Sequence, residues 1–138
     1  MTLDLPADGS VVQAGSIIGI GNDLVDLDRF REVLERTPTI VGRVFTEDEQ
    51  RYARLRRDPT ERFGARFAAK EATMKALGVG LGEVVMVDIE VVRAESGAPS
   101  LQLHGTAAAR AAERGVQRWL LTISHTDHLA QAIVVALG

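Results

Sequence analysis

Cysteine is absent from all 138 residues, which excludes disulfides and thiolate metal sites from whatever holds or equips this chain. The first sixteen residues, MTLDLPADGSVVQAGS, contain two aspartates and no lysine or arginine, so the cationic start of a signal peptide is missing. They read as a flexible leader over residues 1–16, ahead of a single domain over residues 17–138. No apolar run approaches the roughly 20 residues a membrane span requires, and the longest, AIVVALG, closes the chain. Internal repeats are lacking, as is low complexity beyond one alanine-rich stretch. These absences lead us to expect a soluble, cytoplasmic protein without membrane association.

What is present is ordinary for one hydrophobic core, with 46% hydrophobic and 25% charged residues. The net charge of −3 argues against nonspecific nucleic-acid binding, but the charge is unevenly spread. Residues 29 to 75 hold 12 of the 16 Lys and Arg against 8 of the 19 acids. A basic middle of this kind suits an anionic ligand or an acidic partner, and equally a solvated helical face.

Residues 17–25, IIGIGNDLV, predict a first strand. In DLDRFREVLERTP, Leu27, Phe30, Val33 and Leu34 recur at helical spacing, and Pro38 closes the segment. Thr46 followed by Glu49 fits a capping box ahead of a helix through EDEQRYARLRR. A longer helix is expected from near Glu61 to Leu77, with Gly78, Gly80 and Gly82 as its exit. From Val84 the period becomes two, placing Val85, Val87, Ile89 and Val91 on one side and Met86, Asp88 and Glu90 on a wet one. A hairpin return (SLQLH), a helix (GTAAARAAERG) and two last strands (RWLLTISHT, LAQAIVVAL) follow. The order β-α-α-α-β-β-α-β-β implies an α+β fold, an antiparallel sheet with helices packed against it.

The segment RFAAKEATMKALG, residues 66–78, raises the question of function. Phe63, Phe67, Met74 and Leu77 share one arc of the helix, Lys70 lies inside that arc and Glu71 at its edge, while Ala65, Ala68, Ala69, Ala72 and Ala76 occupy the other side. Such a helix is expected to be buried on two faces, so its charges need partners. Lys70 and Glu71 can pair internally or extend to the rim. Asp23 ends an apolar strand behind Gly19 and Gly21, whose missing side chains let another element come close. If the helix crosses that strand, Asp23 and Glu71 converge beside Lys70, Lys75 and Arg66, giving hard oxygen donors for magnesium and cations for phosphate. Asp23 can alternatively cap the helix starting near Asp26.

Other motifs are weaker. Gly19-Ile20-Gly21 lacks the third glycine of a dinucleotide fingerprint, because Leu24 stands there. His125 and His128 have no cysteine to complete a zinc site, Ser124-His125 lacks a Gly-x-Ser-x-Gly elbow, and His104 has no obvious company.

Taken together, GIGNDLVDLDRF, VFTEDEQRYA, RFAAKEATMKALG and TISHTDHLAQAIV resemble the holo-acyl-carrier-protein synthase family of 4′-phosphopantetheinyl transferases, over about residues 17 to 136. The resemblance implies the 4′-phosphopantetheinyl transferase fold. It implies transfer of phosphopantetheine from coenzyme A to a serine of an apo acyl carrier protein, with release of adenosine 3′,5′-bisphosphate, by a homotrimer with active sites between subunits. Carried over by position, Asp23 and Glu71 are implied magnesium ligands, Lys75 holds the pyrophosphate, and Arg66, Lys70, Gly78 and His125 contact coenzyme A. Arg29, Arg36 and, more weakly, Arg43 match positions facing the acidic helix of the carrier. Glu71 or a water on the metal would accept the serine proton. The Gly-Lys-Pro that members often carry in the hairpin is Gly97-Ala98-Pro99 here, which removes a cation near coenzyme A. The carrier can belong to fatty-acid or polyketide synthesis. Two other readings compete: a non-catalytic carrier-binding module on the same fold, and a generic magnesium-dependent enzyme that cleaves pyrophosphates.

Overall fold

In the computed structural model, which describes residues 16–138, the alanines of the long helix meet the alanines of the last strand, and the fold is built outward from that seam. The elements are β1 (Ile17–Asp26), α1 (Leu27–Arg36), α2 (Ile40–Val44), α3 (Glu47–Ala53), α4 (Thr60–Leu77), β2 (Ile89–Arg93), β3 (Pro99–Leu103), α5 (Gly105–Glu113), β4 (Arg118–His125) and β5 (Leu129–Leu137). Pairing between these strands is antiparallel, in a three-stranded sheet of order β1-β5-β4 and a two-stranded sheet β2-β3. The leader expected over residues 1–16 lies outside the described residues, apart from Ser16.

Helix α4 packs on β1 and β5. Small side chains set the closeness of that contact. Ala130, Ala132 and Ala136 alternate inward along β5, and Ala65, Ala68, Ala69, Ala72 and Ala76 face them from α4. On β1, a Cβ at Gly19 or Gly21 would overlap the carbonyl oxygens of Ala76 and Ala72, so the two glycines admit the helix backbone itself. The close approach anticipated at these glycines is therefore filled by α4.

The other arc of α4 is aromatic. Phe63 packs on Phe45 with ring centroids 4.7 Å apart, and Phe67 on Phe30 at 5.3 Å. Full burial of Phe63 contributes on the order of 1.5–3 kcal/mol. The helix stops at Gly78, whose φ of 67° is the left-handed cap conformation that glycine adopts without a Cβ penalty.

Three expectations need correction. The helix of residues 47–57 ends at Ala53, and the short α2 precedes it. The strand expected from Val84 starts only at Ile89, because Met86–Asp88 forms a 3-10 turn that breaks the alternation. Glu90, expected on a wet face, is buried at 8% exposure; it accepts the Thr46 hydroxyl at 2.7 Å and pairs with His104 Nε2 at 3.0 Å. His104 thus has a partner as well. Charge buried on β2 is tolerated because both carboxylate oxygens are engaged.

Candidate active site

Alternation along β1 decides where Asp23 points. Gly19, Gly21 and Val25 turn toward α4, and Asp23 shares their parity, whereas Ile20, Asn22 and Leu24 line the opposite, open face. Asp26, not Asp23, caps α1, accepting the amides of Asp28 and Arg29 at 3.1 and 3.2 Å. Asp23 is left to face α4. There Lys75 Nζ lies 3.3 Å from Asp23 Oδ1 and donates to the Asn22 carbonyl at 2.9 Å.

Asp23 and Glu71 line one cleft of about 420 Å³, together with Arg29, Phe30, Val33 and Phe67. The Glu71 carboxyl is held above its ordinary range, by burial first and the Asp23 charge second, with Lys75 partly opposing them. Two carboxylates forced together beside one lysine are an unsatisfied arrangement that a cation relieves. Magnesium is commonly held by one or two carboxylates, its remaining positions taken by water and substrate phosphates, so this donor set fits it. Among the described residues no group of three or more metal-ligating side chains exists.

The adjacent residue of α4 behaves differently. Lys70 is fully buried and its Nζ lies 2.8 Å from Glu49 Oε1, with the carbonyls of Met86 and Ile89 completing its shell. Burial pulls its pKa down while Glu49 opposes. Its reading as a coenzyme A contact is corrected: every donor is spent inside the chain, tying α4 to α3 and to the start of β2. The partner is neither Glu71 nor solvent. Glu49 was legible only as the capping box, which is present, with Glu49 Oε1 accepting the Thr46 amide at 2.9 Å. The same carboxylate takes the Val91 amide at 3.1 Å.

Arg66 and His125 come together in a second cleft of about 290 Å³, on a different side of α4 from Glu71. Arg66 is 6% exposed and its Nε has no hydrogen-bond partner. His125 pairs with Glu61 at 3.3 Å. Arg56, Arg62, Arg93 and Tyr52 also line this cleft, and none of them was singled out from the sequence. For Arg56 and Arg62 the prior signal was the excess of basic residues between positions 29 and 75, whereas Arg93 lies beyond it. Gly78 is exposed at the helix stop, beyond Lys75. Arg29 lies on the rim of the carboxylate cleft; Arg36 is at the exposed end of α1, 3.9 Å from Glu32, and Arg43 is exposed on α2.

Comparison with known proteins identifies the family. The family model of the 4′-phosphopantetheinyl transferase superfamily matches residues 19–134. The holo-[acyl-carrier-protein] synthase of Streptomyces avermitilis is 49% identical over 123 residues, covering 89% of this chain and 99% of that protein. That of Syntrophotalea carbinolica is 47% identical over 122 residues, 87% of this chain and 95% of its own. Among solved structures, holo-ACP-synthase from Plasmodium yoelii superposes with a TM-score of 0.81 at 30% identity, covering 91% of this chain and 98% of that one. The Helicobacter pylori holo-[acyl-carrier-protein] synthase in complex with coenzyme A gives 0.75 at 28% identity, covering 85% and 98%.

Proposed function

Because the chain belongs to the 4′-phosphopantetheinyl transferase superfamily, we propose that it moves the phosphopantetheine arm of coenzyme A onto a serine of an apo acyl carrier protein, using magnesium and releasing adenosine 3′,5′-bisphosphate. It acts as a holo-[acyl-carrier-protein] synthase. The observation that carries this reading is the meeting of Asp23 and Glu71 in one cleft beside Lys75.

In the reaction, the serine oxygen bonds to the β-phosphorus of coenzyme A, and the bond from that phosphorus to the bridging oxygen breaks. The electron pair leaves with the nucleotide bisphosphate. Asp23 and Glu71 would hold the magnesium ion, which when bound neutralises phosphate charge. Lys75, more than half exposed and reaching toward Asp23, gives the pyrophosphate oxygens a flexible ammonium. Glu71 or a water on the metal would take the serine proton. Arg66, His125 and the backbone at Gly78 hold the rest of coenzyme A. Arg29, with Arg36 and Arg43 further out, gives an acidic carrier helix a cationic landing surface next to the apolar Phe30, Val33 and Ile40.

A homotrimer with active sites between subunits is part of this proposal, and two features support it. Ile20 and Leu24 of β1, Leu120 of β4 and Leu129 and Ile133 of β5 are 37–66% exposed and share the open face of the three-stranded sheet. Arg66 and His125 also lie in a different cleft from Asp23 and Glu71, so one coenzyme A reaches both sets most simply from two copies. Among the described residues no helix is long and apolar enough to cross a membrane. Intact-mass analysis of a carrier protein encoded near this chain is the direct test. The carrier should gain the mass of the phosphopantetheine arm only with coenzyme A and magnesium together; unchanged mass across several carriers would reject the reading. Nucleotide release without a carrier would favour the generic pyrophosphate enzyme instead.

A further inference from the structure

Among the described residues Lys75 is the only side chain in ion-pair contact with either carboxylate of the first cleft. Its Nζ lies 3.3 Å from Asp23 Oδ1 and donates to the Asn22 carbonyl at 2.9 Å, so both anchors belong to β1. Glu71 has no such contact. Lys75 acts on it through space, partly opposing the burial and the Asp23 charge that hold its carboxyl above the ordinary range. The Lys75 side chain is 54% exposed against 18% for Asp23, so the ammonium is the more open of the two. An ion pair this open to water is weak, and its release costs little. Lys70 on the same helix is the opposite case: fully buried among three acceptors, its ammonium has nowhere to move.

We propose that Lys75 and a divalent ion exchange on Asp23: the ammonium is the counter-charge of that carboxylate until the ion binds, and is then released to the phosphates. This rests on the proposed function. Magnesium takes carboxylate oxygens directly into its coordination shell, and Asp23 and Glu71 are the pair available to it. An ammonium 3.3 Å from one of those oxygens competes for the same lone pairs and repels the incoming positive charge. Glu71 and Lys75 stand four positions apart on α4, which makes them neighbours one turn apart. The freed ammonium therefore stays beside whatever the two carboxylates hold. Two consequences follow from the exchange. The protein holds a divalent ion less tightly with Lys75 than without it, and the metal-loaded protein presents a free ammonium to an anion while the metal-free protein does not.

The test uses manganese alone as the probe, its binding read by electron paramagnetic resonance without coenzyme A or carrier, in wild type, Lys75→Met and Arg29→Met. Lys75→Met should bind manganese about five-fold more tightly, because Asp23 no longer has a partner to release. Arg29 lines the same cleft and forms no ion pair with Asp23, so Arg29→Met subtracts a charge and leaves the exchange intact; its affinity should change by about two-fold at most. Equal tightening in both variants, or none in Lys75→Met, would overturn the exchange. In wild type, acetylation of the Lys75 amine, followed by peptide mass spectrometry, should run faster with magnesium than with chelator and slow again when inorganic pyrophosphate is added. A rate that magnesium leaves unchanged or lowers would also overturn the proposal, and this readout does not depend on Lys75→Met folding. No manganese bound by wild type or by Lys75→Met would reject the exchange together with the carboxylate site. A wild-type protein that modifies no carrier, while Lys75→Met still tightens manganese, would count against the proposed function alone.

Discussion

Lys70 and Glu71 are neighbours on one helix and meet opposite fates. Lys70 is sealed in the interior, paired with Glu49 and two carbonyls, and no ligand can reach it. Glu71 is one step further round the helix and opens onto a cleft where the Asp23 charge repels it more than Lys75 attracts it. The first pair is satisfied and structural, while the second is frustrated and available. The contrast teaches that charge on a buried helix has two distinct explanations, and that satisfaction of each charge within the chain separates them.

The sharpest way to break the contrast is at the frustrated end. Asp23→Ala should lower transfer on the order of 1000-fold, by removing one of the two cation-holding carboxylates, while the thermal midpoint stays within a few degrees. A large loss of stability would mean that Asp23 is structural after all. At the satisfied end, Lys70→Met should cost about 3–5 kcal/mol in denaturant unfolding, because Glu49 is left buried without its cation. The double variant Glu49→Leu with Lys70→Met should recover part of that, though the Thr46 and Val91 amides lose their acceptor.

A smaller effect sharpens the contrast from the other side. Glu71 has a raised pKa, so its contribution to stability is full below its unfolded pKa and falls as pH rises through the folded value. Glu71→Gln in chelator near neutral pH should therefore raise the thermal midpoint, by about 2 °C, and added magnesium should stabilise wild type more than the variant. The smallest effect lies at Glu90. Burial alone would raise its pKa, but the bonds from His104 and Thr46 outweigh that and hold it below the ordinary value. Its contribution is present above the unfolded pKa and lost as pH falls through the folded one, so Glu90→Gln should flatten the acid limb of a stability-versus-pH curve.

Much of the fold could be read locally. The Thr46–Glu49 capping box, the stop at Gly78 and the two-faced character of α4 depend on residues a few positions apart, and all are present. The strand misread before Ile89 shows the limit: Val84 to Asp88 alternates as a strand should, yet Asp88 is used to hold the amide and hydroxyl of Thr106 at the start of α5, and the chain turns there instead. That Asp23 meets Lys75 and shares a cleft with Glu71 was legible because strand parity and helical spacing aim these side chains at one another. Lys70 was misassigned because its family-like position says nothing of its partner. Tyr52, Arg62 and Arg93 went unseen because each is unremarkable in its own segment.

The sequence by itself determined which side chains face which way along each element, since the periods of strand and helix are properties of the local backbone. Tertiary structure alone decided which of those faces meet. It brought Glu49 to Lys70 across 21 positions and Arg93 to Tyr52 across the fold, because partner choice depends on how elements pack and on which charges are left without water.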